Sequence, residues 1–175
     1  MILLTIHKNN GFTLIELIIV IIILGVLSSV AIPKFINLKS DAVLSSMDSL
    51  VGVIESADQL IYMKAAILNV QDESATTITI DGEDIKIVYG YPAGTADGIV
   101  KVIENNAVTY TSGNNNDTNE YWYSRASTLS GVTAWVYWPS IYGENAGSLE
   151  CYIRYRQPTG EGELPVINLV TNECD

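Results

Sequence analysis

Hydrophobic and polar positions divide this chain into three regimes. From Phe12 to Ile32 the sequence "FTLIELIIVIIILGVLSSVAI" is almost continuously apolar, and its one ionisable side chain is Glu16. A helix over this stretch would measure about 31 Å against a hydrocarbon core of about 30 Å, so the pattern predicts a membrane-spanning segment. Beyond Pro33 the apolar residues Val43, Met47, Leu50, Ile54, Ala57 and Ile61 recur in alternating steps of four and three, while Lys34, Lys39, Asp41, Asp48, Glu55 and Asp58 break the apolar character. That spacing predicts a helix with one apolar stripe, which leaves the bilayer and must bury the stripe elsewhere. A single helix from Phe12 to about Leu68 would be roughly 85 Å long by helical rise, and it needs packing contacts along its length.

In the third regime the period falls to two. "TTITIDGEDIKIVYGYP" alternates through Ile78, Ile80, Ile85 and Ile87 around a turn at Asp81 and Gly82, which predicts a hairpin ended by Pro92. "DGIVKVIEN" predicts a short helix. "TAWVYW" at 133–138, "LECYIRYR" at 149–156 and "LPVINLV" at 164–170 predict three more strands. The expected fold is α+β: a long N-terminal helix packed on a four- or five-stranded antiparallel sheet, which is the surface available to the helix stripe. Tyr121, Trp122, Tyr123 and the run Trp135 to Trp138 are expected in the core and on strand faces.

Glu16 raises the first chemical question. A carboxylate inside a spanning helix costs a few kcal/mol, so it needs a partner or a role. On its own it could reach water at headgroup level, helped by the positive end of the helix dipole. The start does not read as a secretory signal, because Lys8 and Gly11 precede the apolar run and no A-x-A-like cleavage site follows it.

Gly11-Phe12-Thr13-Leu14-Ile15-Glu16 ahead of an apolar run resembles the class III signal of type IV pilins and pseudopilins, and the resemblance extends to about Glu55. It implies that a prepilin peptidase cuts between Gly11 and Phe12 and methylates the new Phe12 amine. It also implies that Glu16 is kept as the partner of a neighbouring subunit's Phe12 amine during assembly. Gly25 and Pro33 weaken the helix, by about 1 kcal/mol for the glycine and by the lost donor and crowding of the proline. From the residues alone this is a curved membrane helix, whereas the resemblance implies a segment, Gly25 to Pro33, that loses helical order when subunits pack. The expected organisation is a cleaved leader (1–11), a transmembrane and filament-core helix (12–33), an amphipathic helix (34–68) and a β-rich head (69–175) with a C-terminal disulfide-bounded loop.

Charge and cysteine content narrow the picture further. Nine Lys plus Arg against twenty Asp plus Glu give a net charge of −11, which leaves no basic stripe for nucleic acid. Both cysteines, Cys151 and Cys174, lie close to the C-terminus, and a membrane-targeting start exposes them to an oxidising compartment, so they are read as one disulfide. The pair is similar to the disulfide-bounded loop of type IVa pilins. "AIPKFINLKSDA", "IVYGYP" and "CYIRY" are similar to mannose-sensitive haemagglutinin pilins.

No nucleophile with a base, metal constellation or phosphate loop is apparent, and His7 lies in the expected leader, so neither catalytic residues nor a metal nor a cofactor is expected. Asn115, Asp117 and Asn119 have the alternate spacing of a calcium loop but lack its Gly and its Glu. Asp81, Glu83 and Asp84 read as a solvated turn, and Asn116-Asp117-Thr118 matches a glycosylation acceptor. The resemblance implies a non-enzymatic structural subunit of an extracellular type IV pilus, serving surface adhesion or biofilm formation. The alternative is a pseudopilin of a type II secretion system. Implied partners are other pilin subunits, the prepilin peptidase, the inner membrane and its assembly platform, and a surface or carbohydrate ligand; nucleic acid is not among them.

Overall fold

The computed structural model describes residues 12–103, 107–109, 122–143 and 150–174, with the backbone alone at 33–37 and 107–109. Gly11, His7 and the Asn115–Asn119 loop with its glycosylation acceptor therefore lie outside the described residues, as does Tyr121. The chain divides into two compact units, one ending at Ser40 and one spanning Asp41–Cys174.

Helix α1 runs Leu14–Leu68. Gly25 and Pro33, which weaken a helix, both lie within its continuous span. Helix-breaking residues are tolerated in membrane helices where local adjustment re-satisfies the freed backbone groups. In the first unit the span Leu14–Ile32 has a mean hydropathy of 2.9, and none of its residues is buried. Its Ile and Val residues are only moderate helix formers. In lipid the helix is nonetheless required, because intrahelical bonds are what satisfy its backbone polar groups.

In the second unit the predicted stripe is buried as expected: Val43, Met47, Leu50, Ile54, Ala57 and Ile61, continued by Ala65. Two clusters follow one another along it. Val43 to Ala57 pack with Trp135, Tyr137, Cys151, Ile153 and Tyr155, and Ile61 and Ala65 pack with Ile78, Ile85 and Ile87.

Those partners come from two sheets rather than one. The first consists of β1 (Thr76–Ile80), β2 (Glu83–Val88) and β3 (Tyr91–Pro92), antiparallel in that order. Asp81 and Gly82 join β1 to β2 with φ of 52° and 88°, and Tyr89 and Gly90 join β2 to β3 with φ of 47° and 82°. Both are two-residue turns with positive φ at each position, the geometry that matches strand twist. The hairpin therefore does not end at Pro92, which lies in a third strand opposite Ile87. A proline is compatible with this edge position, where no partner strand calls for its missing N–H.

The second sheet has the order β4 (Ala107–Thr109), β5 (Trp122–Leu129), β6 (Val132–Pro139), β7 (Cys151–Arg156) and β8 (Val166–Thr171). β4 pairs with β5 in parallel, and the remaining pairs are antiparallel. The three strands predicted late in the chain match β6, β7 and β8, and the short helix predicted after the first sheet is a pair of helical turns, Ala96–Val100 and Lys101–Ile103. Tyr137 and Trp138 are both buried, so β6 is covered on its two faces.

Cys151 and Cys174 form the expected disulfide, with Cα atoms 5.1 Å apart across a separation of 23 residues. Both sulfurs contact the Met47 sulfur of α1, at 3.8 and 3.7 Å. The bridge therefore closes the chain end onto the buried stripe. Cys151→Ser should lower the stability of the head by about 3 kcal/mol, a loop-closure estimate. Chemical unfolding followed by Trp fluorescence, with and without reductant, checks this, and reduction should bring the wild type to the level of the variant.

Asp58 departs from the sequence reading. Although grouped there with the polar residues outside the stripe, it is 5% exposed, and its Oδ1 has no hydrogen-bond partner. Burial pushes its carboxyl up to about 7, reinforced by the charge of Glu55 and opposed by the Tyr155 hydroxyl beside it. That hydroxyl donates its one proton to the Pro92 carbonyl at 2.8 Å, which limits how far it can offset the burial of Asp58. The folded state thus holds this proton more tightly than the unfolded chain. The contribution is fully favourable below the ordinary value of 3.8, declines as pH rises towards about 7 and is level above that. Asp58→Asn should remove most of this decline, raising stability at pH 8 by a few kcal/mol relative to wild type and much less at pH 4, since one pKa unit is worth about 1.4 kcal/mol. Thermal unfolding of both proteins across that range tests it.

Candidate assembly site

The residues singled out at the start of the chain meet at the first turn of α1. Thr13 precedes the helix, and its hydroxyl accepts a hydrogen bond from the Glu16 backbone N–H at 3.4 Å. The Glu16 carboxylate in turn accepts from the Thr13 backbone N–H and the Thr13 hydroxyl, both at 2.8 Å. This is a reciprocal capping box, which satisfies donors that the first turn of a helix leaves without intrahelical partners. The sequence reading treated Glu16 as an isolated carboxylate and passed over Thr13. The signal was present, since Thr-x-x-Glu before an apolar run is the sequence form of that cap.

Phe12 stands at the mouth of this turn, 92% exposed. Following it, Leu14, Ile15, Leu17 and the rest of the apolar span are exposed along their length. The site therefore combines a carboxylate already held in a defined position, an uncovered aromatic residue four positions earlier and a helix that needs lipid or protein around it. Gly25 has no atom within 4 Å of where a Cβ would stand, so nothing within the subunit demands a glycine there. Ser29 returns its hydroxyl to the Val26 carbonyl at 2.7 Å, which hides that polar group within the helix. Of the remaining candidates, the Pro33 side chain lies outside the described residues, and Cys151 with Cys174 belongs to the head.

Comparison with known proteins decides what kind of N-terminus this is. A family model described as the prokaryotic N-terminal methylation motif matches residues 6–32. The chain carries a prepilin-type methylation motif. Over 58 residues it is 38% identical to the type IV narrow pilus major component PilA5 of Thermus thermophilus, a match covering 33% of this chain and 50% of that protein. The chain thus spans about half the length of the curated relative it matches. No solved structure matches it significantly. The methylation motif and the similarity to a pilin do not extend to the narrower likeness to mannose-sensitive haemagglutinin pilins. With its apolar helix, the prepilin-type motif fits a precursor held in the inner membrane.

The capping box has its own test. Thr13→Ala should weaken the start of α1 by about 1 kcal/mol, whereas Thr13→Ser retains the hydroxyl and should stay near wild type. Amide hydrogen exchange of residues 14–17 in detergent micelles reads the difference, with faster exchange expected in the alanine variant alone.

Proposed function

We propose that the chain is a structural, non-enzymatic subunit of an extracellular type IV pilus, serving surface adhesion or biofilm formation. The observation that carries this reading is the methylation motif placed directly on an apolar helix that has no cover within the subunit. On this reading a prepilin peptidase cleaves between Gly11 and Phe12 and methylates Phe12. The mature subunit then waits in the inner membrane at an assembly platform, and polymerisation with other pilin subunits exchanges lipid for neighbouring helices. The segment from Gly25 to Pro33 relaxes during that exchange.

Glu16 and Phe12 supply the contact. A subunit moving from lipid into a filament core brings a charged Phe12 amine into a medium where an unpaired charge is costly. A carboxylate on the preceding subunit offsets the loss and fixes the axial register. The capping box is compatible with this role, because a carboxylate has more acceptor sites than Thr13 uses. A pseudopilin of a type II secretion system shares the same N-terminal motif; the terminal disulfide and the sizeable two-sheet head favour the pilus. Attachment would fall to the head, through a surface or carbohydrate ligand, and the net charge of −11 argues against nucleic acid.

The discriminating variants keep or remove the charge while sparing the cap. Glu16→Gln retains the side-chain acceptor that a capping box uses, so its subunit should be cleaved and stable yet yield at least tenfold fewer filaments when expressed alone. Glu16→Asp keeps the charge with a shorter reach and should assemble better than Glu16→Gln. Filament counts by electron microscopy, at equal subunit level and against a deletion strain, measure both effects. Abundant pili from Glu16→Gln would show that the cap rather than the charge is what Glu16 supplies, and filaments unaffected by deletion would favour the secretion reading.

A further inference from the structure

Apart from the assembly site, the head contains a cavity of about 460 Å³ lined by Tyr62 near the end of α1, Gln71 and Asp72 in the loop after it, Tyr89 and Tyr91 at the turn between β2 and β3, and Glu161 between β7 and β8. Its lining is rich in rings and acceptors. Tyr62 and Tyr91 stack with ring centroids 4.9 Å apart and planes 22° from parallel. The Gln71 amide has a determined orientation: Nε2 donates to the Asp72 carboxylate at 2.8 Å, and only the nitrogen of an amide can donate. Gln71 thereby steadies the Asp72 carboxylate at the wall of the cavity.

The backbone supplies an independent observation. Tyr89 lies at φ 47°, in a turn position normally taken by Gly, Asn or Asp, and a bulky residue there is an outlier. Such strain is typically retained at ligand-contacting sites. At the next residue, a Cβ on Gly90 would stand 2.8 Å from Tyr62 Cδ2, so the absence of a side chain lets the Tyr62 ring lie against the turn. The strained tyrosine and the glycine beside it thus place rings around one cavity. Nothing in the packing of the hydrophobic clusters uses Tyr89.

We propose that this cavity binds a primary ammonium group, presented by a lysine side chain or by a free alkyl diamine. Aromatic faces attract a cation, and the carboxylates of Asp72 and Glu161 add charge of the right sign. An N–H-bearing cation can also donate hydrogen bonds to those carboxylates. A neutral sugar hydroxyl gains nothing from their charge, and a quaternary ammonium gains from the rings but has no N–H to donate to them. The full donor and charge requirement is met by a primary ammonium.

The test uses the full-length protein in detergent micelles and follows tyrosine ring signals by NMR during titration. Nα-acetyl-lysine methylamide should bind saturably. Its Nε-trimethyl form should bind about tenfold more weakly, as expected for a lost charge-assisted hydrogen bond, and its neutral Nε-acetyl form and methyl glucoside should not saturate. Cadaverine separates the two sources: tighter binding than the lysine amide assigns the site to a free diamine, and weaker binding assigns it to a protein side chain. Tyr89→Gly places the residue best suited to the turn at that position, so it should keep or raise the melting temperature while weakening the lysine amide at least tenfold. Absence of saturable binding by both amines, equal binding of the Nε-acetyl form or the glucoside, or undiminished binding by Tyr89→Gly would overturn the proposal.

Discussion

Burial of one helical stripe is the interaction on which the head depends. Val43, Met47, Leu50, Ile54, Ala57, Ile61 and Ala65 occupy one line along α1, and both sheets contribute their inner residues to it. Neither sheet has a second helix of comparable length to cover it among the described residues. If the stripe were lost, Ile78, Ile85 and Ile87 on one sheet and Trp135, Tyr137, Ile153 and Tyr155 on the other would lose a large part of their apolar cover, at about 25 cal/mol per Å² re-exposed. The same helix begins with a more continuously apolar sequence, none of whose residues is buried among the described residues. Its two stretches thus satisfy one physical demand, removal of apolar side chains from water, with different surroundings.

That division was readable because it is written in periodicity. An unbroken apolar run from Leu17 to Leu24 cannot be one face of a helix, whereas steps of four and three from Val43 to Ile61 can be little else. Turns were legible where their residues are the favoured ones, as at Asp81 and Gly82. The reading failed where side chain and backbone preference part company. Tyr89 gave no turn signal because tyrosine is a strand former, and the third strand was missed with it. β5 was not foreseen because "WYSRASTL" lacks a clear apolar face; of its eight residues only Ser124 is fully buried. Asp58 lies beside Ala57 on the helix and was counted as polar surface, since a sequence shows the charge of a residue but not whether two sheets close over it.

At the assembly site the sequence carried more than was taken from it. The carboxylate stood out because lipid makes it expensive, and that anomaly hid an ordinary cap four residues long. Thr13 and Glu16 together show that a group can be structurally satisfied and chemically available at once, since two hydrogen bonds from one threonine leave further lone pairs on the carboxylate. Two roles for one residue are then a matter of coordination number rather than of alternatives.

The two-residue strand β3 has a consequence beyond its own sheet. It forms an edge, and an edge strand offers free N–H and C=O groups to any other strand that comes alongside. A subunit proposed to lie shoulder to shoulder with copies of itself is exposed to that hazard continuously. Tyr91–Pro92 is too short to template a second chain, and Pro92 has no N–H to offer. This margin of the head is thereby closed to β-type adhesion between neighbours.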